Sequence, residues 1–146
     1  MIQYVEMTAA HTAQIAELEK VCFSDPWSER SIASEISNPL SSWLIALDGD
    51  KVVGYIGSQT VLDQADIMNV AVSPAYRRQG VGEKLVTMLT ERLKNAGVLA
   101  VLLEVRVSNV PAIGLYEKLG FRQIGLRKNY YLNPKEDAMI MRKELV

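Results

Sequence analysis

The segment Val70-Ala71-Val72-Ser73-Pro74-Ala75-Tyr76-Arg77-Arg78-Gln79-Gly80-Val81-Gly82 leads from a strand-like stretch into a helical repeat through a basic, glycine-containing turn. Such a junction suits an anion. The first turn of a helix leaves its N–H groups unpaired and carries the positive end of the dipole, and glycine lets a phosphate come close to the backbone. Arg77 and Arg78 add charge at the same place. Two familiar phosphate motifs do not fit: Gly80-Val81-Gly82 runs on into Glu83-Lys84-Leu85 without a third glycine, and no Gly-Lys-Ser/Thr occurs. The dinucleotide and P-loop readings are both weakened.

Two other side chains are placed for proton chemistry. Glu104 is the one carboxylate in Val98-Leu99-Ala100-Val101-Leu102-Leu103-Glu104-Val105-Arg106, where a hydrophobic run ends. The end of a central strand faces the ligand crevice of an α/β sheet, which makes Glu104 a candidate base. The competing reading is an ion pair with Arg106 or Arg77. Tyr116, in Asn109-Val110-Pro111-Ala112-Ile113-Gly114-Leu115-Tyr116-Glu117-Lys118-Leu119-Gly120-Phe121, carries a hydroxyl that can donate a proton. By periodicity alone it is a core aromatic on one face with Ile113 and Leu119. His11 stands outside any Cys/His/carboxylate cluster, so no metal site is assigned, and Cys22 reads as a core thiol.

Hydrophobic period and turn chemistry give the elements that position these groups. Ile2–Met7 reads as a strand, and Thr8 caps a helix with Ile15, Leu18 and Cys22 at helical spacing. Ser24-Asp25-Pro26 ends that helix, and Ser28 caps a second one that reaches Asn38, ahead of Pro39. Ser42–Leu47, Lys51–Leu62 and Asp66–Val72 read as three strands, the first two joined as a hairpin by Asp48-Gly49-Asp50. Val81, Leu85, Leu89 and Leu93 then mark a helix that stops at Gly97. The unbroken apolar run of Val98–Val105 predicts a strand buried on both faces, hence central in its sheet. Ser108 or Asn109, with Pro111, opens a further helix closed by Gly120, and Phe121–Arg127 and Ala138–Glu144 are the last strands. The order βααβββαβαββ predicts an α/β (α+β) fold, one mixed sheet with helices on its faces.

Length and composition bound the function. With 146 residues, 49% apolar and 23% charged, the chain is expected to be one globular domain, residues 1–146, with a sizeable core of its own. A lone Cys22, and a start without the basic and apolar regions of a secretory leader, point to the cytoplasm. The longest wholly apolar run, Val98–Leu103, is far short of the roughly 18 residues of a bilayer span, so no membrane partner is expected. A net charge of −1 argues against nucleic acid as a partner. The charge is nonetheless split: Met1–Ser73 carries 10 acidic and 3 basic residues, Pro74–Val146 carries 7 and 13. Such a split favours a bipolar surface.

Arg/Gln-x-x-Gly-x-Gly/Ala between a strand and a helix resembles the acyl-CoA pyrophosphate loop of the GNAT N-acetyltransferases, and the element order is similar to that family's over nearly the whole chain. The resemblance implies the GNAT fold, a central, mostly antiparallel twisted sheet flanked by helices, with acetyl-CoA as cosubstrate and no metal. It implies that Val70, Ala71 and Val72 face the pantetheine arm, and that Arg77, Arg78, Gln79, Gly80, Val81, Gly82 and Glu83 hold the pyrophosphate. The Asn-x-x-Ala-x-x-Leu-Tyr-x-x-x-Gly-Phe pattern from Asn109 to Phe121 is similar to the family motif whose Asn contacts CoA and whose Tyr is the acid. Asn109 and Tyr116 take those roles by resemblance, and Glu104 that of the base.

Four further segments, Phe23-Ser24-Asp25-Pro26-Trp27-Ser28, Leu102-Leu103-Glu104-Val105-Arg106, Arg127-Lys128-Asn129-Tyr130-Tyr131 and Glu136-Asp137-Ala138, resemble the RimI branch of that family, which acetylates the N-terminal alanine of a small-subunit ribosomal protein. That implies an alanine-initiating peptide as acceptor, with Trp27, Tyr130 and Tyr131 lining its groove. Gly114 and the stretch from Asn133 to Asp137 depart from the pattern. Amine chemistry is compatible: at pH 7 about a tenth of an α-amine is neutral, against about 0.04% of a lysine side chain, so an α-amine asks less of its base. A lysine, polyamine or aminoglycoside acceptor, or a non-catalytic CoA-binding or ribosome-binding module, are the alternatives.

Overall fold

Caps and alternation become elements close to those expected. In the computed structural model, which describes residues 1–146, β1 (Ile2–Glu6) leads through a 3₁₀ turn at Ala9–His11 into α1 (Thr12–Cys22). Thr8 caps the 3₁₀ turn, where its hydroxyl accepts the Ala10 N–H and its own N–H donates to His11 Nδ1 at 2.9 Å. His11 is thereby a capping residue. Ser28 accepts the Ser31 N–H at 3.1 Å and starts α2 (Glu29–Ile36). The chain continues through β2 (Ser41–Asp48), β3 (Lys51–Val61), β4 (Gln64–Val72), α3 (Val81–Asn95), β5 (Ala100–Arg106), α4 (Val110–Lys118), β6 (Arg122–Leu132) and β7 (Lys135–Glu144). No helix is long and apolar enough to cross a membrane.

The seven strands form one sheet in the order β1-β2-β3-β4-β5-β7-β6, antiparallel throughout except between β4 and β5. That parallel pair is short. It holds only from Gln64–Asp66 to Ala100–Leu102, and beyond it the two strands part into a splay. On one face, Val81, Leu85 and Leu89 of α3 and Tyr116 of α4 pack on Val101, Leu103 and Val105. On the other, Ile15 of α1 and Ile32 of α2 pack over Trp43, Ile45, Tyr55 and Ala71, on β2, β3 and β4.

Two expectations are corrected. β5 is not buried on both faces along its length: Val101, Leu103 and Val105 are buried, whereas Leu102 is half-buried and Glu104 exposed. The reason is the cover, because the cluster under α1 and α2 takes in β2, β3 and β4 but no residue of β5, which leaves the Leu102 and Glu104 face open. The last hairpin is also longer than read, because β6 continues past Arg127 and β7 begins before Ala138. The register jumps from Arg127↔Ala138 to Tyr131↔Glu136, and Asn129 sits at φ 55° with its N–H on Asp137 Oδ1 at 2.8 Å. A bulge of this kind breaks the period of two that marks a strand.

Gly57 lies opposite Trp43 across β2 and β3, and a Cβ there would run into the indole. Gly57→Ala is therefore expected to cost about 1–3 kcal/mol through overpacking. Thermal unfolding should show it as a Tm lowered by roughly 2–4 °C per kcal/mol; an unchanged Tm would mean that Trp43 moves freely.

Candidate active site

The splay exposes peptide groups on β4. Ser73 N–H donates to the Val53 carbonyl at 2.7 Å, so by antiparallel alternation Val72 and Val70 turn their peptide groups away from β3, toward the gap. An amide-rich ligand can pair there as an added strand. Ala71 lies opposite Tyr55, and the same alternation turns its peptide groups into the β3 ladder, leaving none for the gap. Its side chain is buried under α1.

Beyond β4 the basic turn meets the start of α3. Gly80 is the N-cap with φ 80°, a conformation natural to glycine, and no side chain caps the helix. The N–H groups of Val81, Gly82 and Glu83 thus have no partner within the helix, an arrangement chemically suited to an anion. A Cβ on Gly82 would lie 3.6 Å from both Val72 and Leu115, so the start of α3 sits close to β4 and α4. Arg78, at φ 64°, makes no ion pair. Arg77 is turned back, its Nε on the Val72 carbonyl at 3.2 Å and its guanidinium 3.6 Å from Cys22 Sγ. Gln79 Nε2 donates to the Ala75 carbonyl at 3.4 Å. The Glu83 carboxylate is held by Lys118 of α4 at 2.9 Å, which leaves its backbone N–H as its contribution to the turn. Burial pushes the Cys22 thiol up, against the opposing charge of Arg77, so Cys22 is held as a thiol.

Glu104 stands on β5 past the last β4 pairing, where the splay opens. A third of its side chain reaches solvent. It is paired with neither Arg106 nor Arg77: Arg127 Nε lies 3.4 Å from its Oε1, and the Tyr130 hydroxyl donates to its Oε2 at 3.4 Å. Both partners come from β6, brought across by β7.

Tyr116 is 5% exposed and edge-on to Phe121, with centroids 5.7 Å apart. Burial raises its pKa, and the Tyr131 phenol adds to the shift, so the phenol keeps its proton. Its hydroxyl makes no hydrogen bond within the chain and is not sealed from solvent. Asn109 caps α4, its Oδ1 accepting the Ala112 N–H at 3.3 Å, and its Nδ2 remains free.

Residues 12–121 match the model of the acetyltransferase (GNAT) family. The chain belongs to that family. It is 40% identical over 126 residues to the ribosomal protein bS18-alanine N-acetyltransferase of Escherichia coli strain K12, covering 85% of this chain and 84% of that one. The crystal structure of the ribosomal-protein-S18-alanine N-acetyltransferase from Escherichia coli shares the fold at a TM-score of 0.92 and 35% identity, covering 99% of this chain and 94% of that one. The structure of the NatC complex bound to Gag peptide and CoA is similar at a TM-score of 0.89 and 25% identity, covering 99% of both chains.

In this GNAT fold the residues read as an acceptor groove fall on two elements, β6 and the α1–α2 loop. Tyr130 and Tyr131 meet edge-to-face at 5.1 Å, and the Arg106 guanidinium lies over the Tyr131 ring at 4.2 Å. Burial, with help from Tyr130 and Glu104, pushes Tyr131 up to about 12, so it too stays a phenol. Trp27 is half-buried, packed edge-on to Trp43 at 5.8 Å, and borders an open hollow with Asp25, Pro26, Ser28 and Ser31. The stretch from Asn133 to Asp137 has a structural task. Arg106 donates to the Asn133 and Pro134 carbonyls at 3.1 and 2.9 Å and to Glu136 at 3.1 Å, and Ser24 Oγ donates to the Asn133 carbonyl. The Ser24 bond ties the α1–α2 loop to the β6–β7 hairpin, and the Arg106 bonds tie that hairpin to the end of β5.

Sequence reading missed the pairing of Arg127 with Glu104, because the two are joined only by the sheet order. It also missed Glu19, which is 1% exposed in α1 and accepts hydrogen bonds from Trp27, Tyr55 and Asn69. Its spacing was a signal: Glu19 stands four residues after Ile15 and three before Cys22, on the apolar stripe.

Proposed function

We propose that this GNAT protein acetylates the α-amine of the N-terminal alanine of ribosomal protein bS18, taking the acetyl group from acetyl-CoA in a ternary complex. The observation that carries this reading is Glu104 just past the last β4–β5 pairing, where the β4 peptide groups of Val70 and Val72 turn away from β3 and the Tyr130 hydroxyl of β6 donates to it. Acetyl-CoA supplies the acetyl group as a thioester. Val70 and Val72 pair with its amide arm, and the Arg78–Glu83 turn holds its pyrophosphate.

Glu104, directly or through a water, takes one proton of the acceptor ammonium, which frees the nitrogen lone pair to form the new C–N bond, and the second proton that this nitrogen sheds as it becomes an amide passes to solvent. Tyr116 gives its proton to the sulfur as the C–S bond breaks. Glu104 leaves the cycle protonated and Tyr116 ionised, and both are reset through solvent. Of the side chains that would border the peptide, Trp27 packs on the face covered by α1 and α2, which belong to the acidic half of the chain, and that charge suits a basic ribosomal-protein terminus. The work belongs in the cytoplasm, where ribosomal proteins are made.

The test is turnover with acetyl-CoA and mass mapping on two peptides, one the alanine-initiating terminus of bS18, the other N-blocked with an internal lysine. Acetylation of the first alone is expected. Modification of the lysine, or saturable CoA binding with neither peptide modified, would overturn the reading.

A further inference from the structure

Glu19 is a buried carboxylate with no cation. It forms no ion pair, and it accepts from three neutral donors: the Trp27 N–H on Oε1 at 2.9 Å, and Asn69 Nδ2 on Oε2 at 2.6 Å together with the Tyr55 hydroxyl. A fold gains little from such a group, because desolvating a carboxylate costs more than neutral donors return. Burial raises the Glu19 pKa, with the three hydrogen bonds opposing. The sign follows: above the ordinary carboxylate range the unfolded chain gives up its proton more readily than the folded one, so the ionised residue subtracts from stability at neutral pH. Stability does not explain the residue.

What Glu19 fastens does explain it. Trp27 belongs to the loop that borders the acceptor hollow. Asn69 sits on β4 at the register shift between Gly57↔Asn69 and Ser58↔Ile67, immediately before Val70 and Val72, whose peptide groups face the donor side of the gap. Tyr55 is the buried centre of β3 and stacks on Trp43. One carboxylate therefore joins the acceptor wall to the donor strand, from behind both.

We propose that Glu19 is a positioning residue, fixing the Trp27 loop to β4 so that the acceptor amine is held against the acyl group carried at Val70–Val72. This rests on the acetyl-transfer reading and names the part that aligns its two substrates. Glu19 touches neither substrate and exchanges no proton with them.

Two variants test it. Glu19→Gln keeps the shape but gives a single acceptor oxygen to donors that the carboxylate divided between two. Asn69→Ala cuts the link on the β4 side and leaves the Trp27 bond in place. Both are expected to lower kcat/KM for the alanine peptide by roughly 10²-fold, as a displacement of about 1 Å at a reacting pair does, with the acetyl-CoA Kd unchanged. Glu19→Gln should leave Tm no lower than wild type and speed hydrogen exchange at the Trp27 amide, while Asn69→Ala leaves that amide protected. Wild-type kcat/KM in both variants would overturn the proposal, as would a joint loss of Tm and of affinity for both substrates, the mark of a merely structural role. If the unaltered protein acetylates neither peptide, the acetyl-transfer reading fails, and with it the alignment role; faster Trp27 exchange in Glu19→Gln would then show only that the hydrogen bond exists.

Discussion

Glu104→Gln is expected to lower turnover of the alanine peptide by roughly 10²–10⁴-fold, the range lost when a positioned base is removed, with the acetyl-CoA Kd unchanged. The amide has the shape of the carboxylate and keeps an oxygen for the Tyr130 hydroxyl, so the β5–β7 register at Glu104↔Ile140 has no reason to shift. Arg127 loses an ionic partner, but that side chain is 56% exposed and the Glu104 side chain 33%. Pairs so open to water contribute about 0–1 kcal/mol, and Tm should barely move. The residual rate carries a second signature. Without a base, the reaction depends on amine that is already neutral, so the variant's rate should climb about tenfold per pH unit below roughly pH 8 and level off above. Mass-mapped initial rates over pH, beside acetyl-CoA titration, check both. Turnover equal to wild type would remove Glu104 from the mechanism.

Local chemistry was legible in the sequence and distant pairing was not. The turn into α3 could be read because its parts are contiguous: a strand end, two arginines, and a glycine at φ 80° capping the helix. Glu104 stood out as the lone carboxylate of an apolar run, but its partners did not. Arg127 and Tyr130 lie on β6, which reaches Glu104 only because β7 inserts between β5 and β6. A second non-local fact hid the exposure of Leu102 and Glu104. An apolar run predicts burial on both faces, whereas α1 and α2 cover β2, β3 and β4 and leave that face of β5 open. The tyrosines of β6 were placed by resemblance alone, since the bulge around Asn129 erases the alternation that would have announced a strand. Asn109 shows one residue type serving two readings: its Oδ1 is spent on the α4 cap, and only Nδ2 is left for a ligand.

Tyr116→Phe separates packing from proton transfer more cleanly than any other change in the site. The ring stays buried against Phe121, and the hydroxyl removed makes no hydrogen bond within the chain, so the fold should be no less stable. Turnover is nevertheless expected to fall by roughly 10²-fold or more, because the thiolate must leave without its proton. The pH profile of the unaltered protein should agree. Burial disfavours the phenolate and raises the Tyr116 pKa, so the proton-donating form persists as pH rises past about 10, where an exposed tyrosine would ionise. No loss of kcat near that pH should then trace to Tyr116. The deciding comparison is a second acetyl thioester whose thiol is far more acidic than that of CoA. Such a sulfur departs without a proton, and the deficit of Tyr116→Phe should shrink toward wild type with that donor. A deficit of the same size with both donors would mean that Tyr116 acts through placement of the substrate, and the acid would have to be sought in the solvent that reaches the splay.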